Sequence, residues 1–155
     1  MDSDLRELYQ EVILDHGKNP RNFRHPEDAT CEAKGNNPLC GDKLEVYLKI
    51  DGGGIIEDAA FEGRGCAISV ASASMMTEIV KGKSLAQTED LFERFHAMCT
   101  DEAPADIPGK FADDIEKLEV LSGVRQFPMR VKCATLAWHT MNAAAKGGDE
   151  DASTE

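Results

Sequence analysis

No stretch of this chain approaches the roughly 20 consecutive apolar residues that cross a bilayer. Its most apolar run, residues 66–76, is broken by Ser69, Ser72 and Ser74. Positive charge is scarce: Lys and Arg total 17 against 29 Asp and Glu, a formal net charge of −12. That surplus repels phosphate backbones and anionic lipid, so general nucleic-acid binding and membrane attachment are disfavoured. A basic secretory leader is missing, since the chain opens Met1-Asp2-Ser3-Asp4, and this predicts a cytoplasmic location. There is no nucleophile elbow, phosphate-binding glycine loop or zinc-protease motif, which argues against an enzyme acting alone. His16, His25, His96 and His139 show no paired ligand spacing.

What is present is enough chain for one domain with a real core. The 155 residues are 41% hydrophobic and 30% charged, which also argues against disorder. Residues 1–146 read as a single domain and 147–155 as an acidic, small-residue tail that should fray. Leu5, Leu8, Tyr9, Val12 and Ile13 fall on one face of a helix predicted over 4–15, with Ser3 as its N-cap and Gly17 and Pro20 ending it. Residues 43–50 alternate Leu44, Val46, Leu48 and Ile50 against Lys43, Glu45, Tyr47 and Lys49, a strand with one wet face. Asp51-Gly52-Gly53-Gly54 supplies a tight turn, and 55–61 returns as its partner. A weaker strand over 29–35 completes a three-stranded meander. Helices are predicted over 69–80, 86–99, 112–123 and 131–145, with a loop at 100–110. The fold class that follows is α+β: a three-stranded antiparallel sheet packed against several helices.

The five cysteines, at 31, 40, 66, 99 and 133, are odd in number. In a reducing compartment they do not form a disulfide framework. Cys99 continues the apolar face of Phe92 and Phe95, and Cys31 lies in a strand; both read as packing residues. The other three sit in more reactive settings. Cys40-Gly41-Asp42 places a thiol and a carboxylate around one glycine, a pattern open to two readings, a plain turn or a pair of zinc ligands. Cys66 follows Gly63-Arg64-Gly65 at the start of a helix, where the N–H groups and the dipole favour thiolate. Cys133 opens the last helix beside Arg130 and Lys132, cations that stabilise its anion. Cys40, Asp42, Cys66 and Cys133 amount to a tetrahedral S3O set if the fold brings them together; no spacing among them resembles a zinc finger. His139, six residues after Cys133, points away from it on a helix.

Several strings together resemble a known family. Leu8-Tyr9-Gln10-Glu11-Val12-Ile13-Leu14-Asp15-His16, Lys18-Asn19-Pro20-Arg21-Asn22, Asn37-Pro38-Leu39-Cys40-Gly41-Asp42 and Phe61-Glu62-Gly63-Arg64-Gly65-Cys66-Ala67-Ile68-Ser69 follow one another in order. Over about residues 5–145 the chain is similar to the IscU/NifU-N/SufU family of iron–sulfur cluster assembly proteins. The family's three cysteines fall on Cys40, Cys66 and Cys133, and its aspartate on Asp42. IscU-type members carry histidine where this chain has Lys132, and Leu-Pro-Pro-Val-Lys where it has Phe127-Pro128-Met129-Arg130-Val131. Those departures resemble the SufU branch. The resemblance implies a Zn²⁺-dependent acceptor of persulfide sulfur, working with a SufS-type, pyridoxal-phosphate-dependent cysteine desulfurase. It implies ligation by Cys40, Asp42, Cys66 and Cys133, and exchange of one cysteine for a histidine of the partner. Cys40, on the loop 38–41, is the thiolate assigned to be released and to carry sulfur. The alternative is a scaffold on which an iron or [2Fe–2S] cluster is built and handed on; a separate scaffold downstream is a further expected partner.

Overall fold

The computed structural model describes residues 3–37, 41–100, 112–146 and 152–153. Among the described residues, five α-helices, a 3-10 helix and four strands follow in the order α1 (Ser3–Lys18), β1 (Cys31–Asn37), β2 (Asp42–Ile50), β3 (Ile56–Arg64), α2 (Ala67–Val80), α3 (Leu85–Cys99), α4 (Ala112–Leu118), the 3-10 helix (Glu119–Gln126), α5 (Pro128–Ala145) and β4 (Ala152–Ser153). The expected antiparallel meander is present: β1 pairs with β2, and β2 with β3. A fourth strand was not foreseen. Ala152 and Ser153, from the segment expected to fray, pair in parallel with Gly35 and Asn36, giving the order β3-β2-β1-β4. The loop expected at 100–110 falls, from residue 101 onward, outside the described residues, as do 147–151 and 154–155.

One face of the sheet is covered by helices. Leu44, Val46, Leu48, Ala59 and Phe61 point into a core shared with Met76, Leu91, Phe95, Leu121 and Trp138. Trp138 of α5 packs on Phe95 of α3 with ring centroids 5.2 Å apart. The opposite face is less wet than the alternation predicts. Tyr47 is buried there because the His25 ring stacks on it at 4.1 Å and its hydroxyl reaches Glu45 at 2.6 Å and Glu62 at 3.2 Å.

Helix boundaries moved for local reasons. α1 runs on to Lys18, with Asn19 N–H still donating to Asp15 O at 2.8 Å, and stops where Pro20 has no N–H to give. Ser84 starts α3 through a reciprocal cap: its Oγ accepts from Gln87 N–H, and its own N–H donates to Gln87 Oε1. The helix predicted over 112–123 is divided into α4 and the tighter 3-10 segment, where Ser122 and Gly123 weaken α-helix propensity. α5 begins three residues earlier than predicted, because Pro128 occupies the first helical position instead of blocking it.

Candidate metal centre

The end of the sheet, the start of α2 and the first half of α5 meet at one point. Asp42 is the first residue of β2 and is fully buried. Gly41 before it has φ +73°, a left-handed conformation that glycine adopts freely, and it turns the chain into the strand. Cys66 is the N-cap of α2, with extended backbone angles, and its Sγ accepts from Ser69 N–H at 3.5 Å. Cys133 is buried on α5. It lies in the second turn of that helix and not at its opening, since the helix starts at Pro128. The expectation that it opens the last helix does not hold, because Pro128 takes the first helical position.

Asp42, Cys66 and Cys133 each present a ligand atom within 4.8 Å of the other two. Cys40 lies outside the described residues, in the segment 38–40 that joins Asn37 to Gly41. Asp42 is fixed from two sides. Its Oδ1 accepts from Cys66 N–H at 2.9 Å, and its Oδ2 accepts from Asn37 Nδ2 at 3.3 Å. A Cβ on Gly65 would sit 2.5 Å from Asp42 Oδ1, so only glycine there lets the strand end close over the carboxylate.

The Cys66 thiol is polarised toward the anion. The Cys66 thiol drops to about 6, first because Cys133 hydrogen-bonds to it and then because Ser69 and Ile68 N–H groups point at it; burial and the Asp42 charge oppose this. Arg130 is the cation of the site. The negative charge of Cys66 and Cys133 raises its already high pKa.

Two sulfurs and a carboxylate, with Asp42 and Cys133 buried and Cys66 half-buried, are a donor set that suits Zn²⁺ and also iron. A tetrahedral ion with bonds of about 2.3 Å to sulfur holds its ligands about 3.8 Å apart, so these groups need little adjustment to share one. Asn37 Oδ1 and Ser69 Oγ are buried without a hydrogen-bond partner among the described residues, and both residues bond site ligands through their other polar atoms. The residues present therefore fit a metal ion.

Asn37 was not singled out from the sequence. It donates to Cys133 Sγ at 3.7 Å as well as to Asp42. Its signal was available: in β1 the buried positions are Ala33, Gly35 and Asn37, so an amide stands where the alternation calls for an apolar residue. Cys99 is buried and Cys31 is half-buried, both away from the centre. His139 packs against Phe92 and His96 at 4.9 and 5.9 Å. His16 Nδ1 pairs with Ser74 Oγ at 2.7 Å, between α1 and α2.

The profile of the NifU-like N-terminal domain matches residues 8–106. The chain belongs to the NifU-N/IscU family. It is 42% identical over 153 residues to the zinc-dependent sulfurtransferase SufU of Bacillus subtilis (strain 168), covering 95% of this chain and 97% of that protein. It is 41% identical over 145 residues to the iron–sulfur cluster assembly scaffold protein IscU of Streptococcus pyogenes serotype M1, covering 93% of this chain and 86% of that one. Among solved structures it is similar to FiSufU from thermophilic Fervidobacterium islandicum AW-1. That match has a TM-score of 0.79 at 31% identity, covering 90% of this chain and 98% of the other. The TM-score shows that this chain shares its α+β fold with that structure. No helix among the described residues is long and apolar enough to cross a membrane.

Proposed function

We propose that this member of the NifU-N/IscU family is a zinc-dependent sulfur-transfer protein. It accepts persulfide sulfur from a SufS-type cysteine desulfurase and supplies it for iron–sulfur cluster assembly. The observation that carries the reading is the convergence of Asp42, Cys66 and Cys133 on one buried point, with Cys40 two residues from Asp42 in the chain. The likeness to a zinc-dependent SufU supports the same conclusion.

Cys40, Asp42, Cys66 and Cys133 would hold the ion. Bound zinc supplies a redox-inert centre that keeps thiols deprotonated and tolerates exchange of a ligand. The chain's residues divide the remaining work. Cys66, at its helix cap, and Cys133, within α5, are carried on rigid elements and stay in place. Asn37 and the Cys66 N–H orient Asp42. Arg130 offsets the negative charge gathered by the thiolates. As a free thiolate, Cys40 would attack the outer sulfur of the persulfide on the desulfurase. A bond forms between Cys40 Sγ and that sulfur, the partner's S–S bond breaks, and the partner's cysteine leaves as thiolate, with no net oxidation or reduction. The pyridoxal phosphate chemistry that generates the sulfur belongs to the partner.

The test is desulfurase turnover with and without this protein, alongside its metal content. One zinc per chain and stimulated turnover are expected. Cys40→Ala should lose most of the stimulation, since Cys66 and Cys133 are held on α2 and α5 as ligands, and should keep the fold. Undiminished stimulation by that variant would refute the assignment.

The likeness to IscU scaffolds at comparable identity favours one alternative, assembly of a [2Fe–2S] cluster on the same thiolates. Anaerobic reconstitution decides it. A brown protein that passes iron and sulfide to an apo-acceptor would establish the scaffold.

A further inference from the structure

On the face of the sheet turned away from the helices, the register sets residues in rows. Asn36, Lys43 and Arg64 form one row across β1, β2 and β3, and Lys34, Glu45 and Glu62 form the next. A groove of about 790 Å³ lies open along these two rows. It occupies the end of the sheet that carries the metal centre: Asn36 precedes Asn37, Lys43 follows Asp42, and Arg64 stands two residues before Cys66. Side chains alternate across a strand, so Asn37 and Asp42 face inward where Asn36 and Lys43 face outward.

Charge on this face is satisfied at one end and left open at the other. Far from the centre, Lys49 Nζ reaches Asp28 and Glu57 at 3.1 and 3.5 Å, and Arg24 reaches Asp58 at 2.6 Å. In the groove, Glu45 and Glu62 stand opposite each other and share the Tyr47 hydroxyl. Lys34, Lys43 and Arg64 make no ion pair with any described residue. Lys43 and Arg64 are moreover direct cross-strand partners. Like charges set opposite one another in a sheet destabilise it. An anion between them would turn that repulsion into two attractions.

The spread of the cations selects the occupant. Lys34 and Arg64 lie on the strands either side of β2, which run about 10 Å apart at about 4.8 Å per step. A single carboxylate or phosphate does not span that distance, whereas an extended peptide repeats its side chains on one side about every 7 Å. A polynucleotide would bring every phosphate outside the groove against the field of a chain with net charge −12. A short acidic segment meets the local cations alone.

We propose that this groove docks an extended acidic segment of another protein, its carboxylates set on Lys43, Arg64 and Lys34. Docking there holds the partner at the end of the sheet where Asp42, Cys66 and Cys133 converge, on the face opposite the helices. Because it rests on charge and register, it stands or falls apart from the sulfur-transfer reading.

The probe is a fluorescein-labelled synthetic peptide of alternating Glu and Thr, titrated with the full chain at low salt and read by fluorescence anisotropy. Saturable binding is expected, and its loss at about 1 M salt, where screening acts within about 3 Å. Lys43→Ser should weaken binding about fivefold, the upper range for one exposed ion pair, and Arg64→Ser should do the same. Both variants should keep or raise the melting temperature, since each removes one of two opposed cations; this separates lost docking from lost folding. Lys117→Ser makes an equal change of charge at an exposed position of α4 and should bind as the parent does. A peptide with Gln in place of Glu should not bind. Absence of saturable binding by the Glu peptide overturns the proposal, and so does equal weakening by Lys43→Ser and Lys117→Ser. Tighter binding of a single-stranded oligonucleotide of the same charge would overturn the choice of a protein partner.

Discussion

Asn37 shows how one residue governs others at this centre. Its amide nitrogen is shared between Asp42 Oδ2 and Cys133 Sγ, so it fixes the orientation of a carboxylate against a sulfur. Outer partners of metal ligands typically carry 10–100-fold of metal affinity. Asn37→Ala should therefore weaken zinc binding by about 10–100-fold, read by competition with a chromophoric chelator; an unchanged affinity would remove this role. Two half-buried histidines set the acid response. Burial lowers His16 below its ordinary 6.5, helped by the Arg21 charge. Burial lowers His139 as well, helped by His96. Each is held neutral in the fold and protonates more readily once unfolded. The stability they contribute is complete above about pH 6.5 and is lost as pH falls through the lower folded values. Thermal stability should therefore fall between about pH 7 and about pH 5. His16→Gln should flatten that slope, and an equally steep decline in the variant would locate the effect elsewhere.

Elements position the centre by meeting at their ends. β2 contributes its first residue, α2 its N-cap and α5 its second turn, while β1 ends on the amide that joins them. α3 contributes no ligand among the described residues; its work is packing. Phe95 is fully buried against Trp138 of α5, so Phe95→Ala should cost about 3–5 kcal/mol of stability by denaturant titration. Zinc affinity should change little in the same variant. A large loss of affinity would mean that α3 holds α5 in the ligating position and does not merely back it.

The molecule as a whole has a core that does not include the ligands. The cluster of buried apolar side chains runs from the sheet through α2, α3, α4 and the 3-10 helix to α5, and Cys133 lies beside it. Removing metal with a chelator should leave the far-ultraviolet circular dichroism essentially intact and lower the melting temperature. Free zinc at 100 times its dissociation constant adds about 2.7 kcal/mol by mass action. Collapse of secondary structure on chelation would instead mark a module folded by its metal.

Periodicity in the chain was enough for the meander and most helices. Leu44, Val46 and Leu48 alternate, Phe92 and Phe95 recur at helical spacing, and these signals arise from neighbours along the chain. Glycine and cysteine types around Asp42 and Cys66 marked the chemistry for the same reason. Contacts across long separations were not written locally. Pro128 reads equally as a stop or as a first helical residue, and that choice moved Cys133 from the opening of α5 into its second turn. Tyr47 looked wet until His25, from a connecting segment, stacked on it. Asn37 gained its role only when residues 5 and 96 positions away came within reach of one amide. The sequence by itself determined which groups this protein has for holding a cation. The tertiary structure decided that Asp42, Cys66 and Cys133 face one another, because that distance is set by the packing of whole elements and not by spacing along the chain.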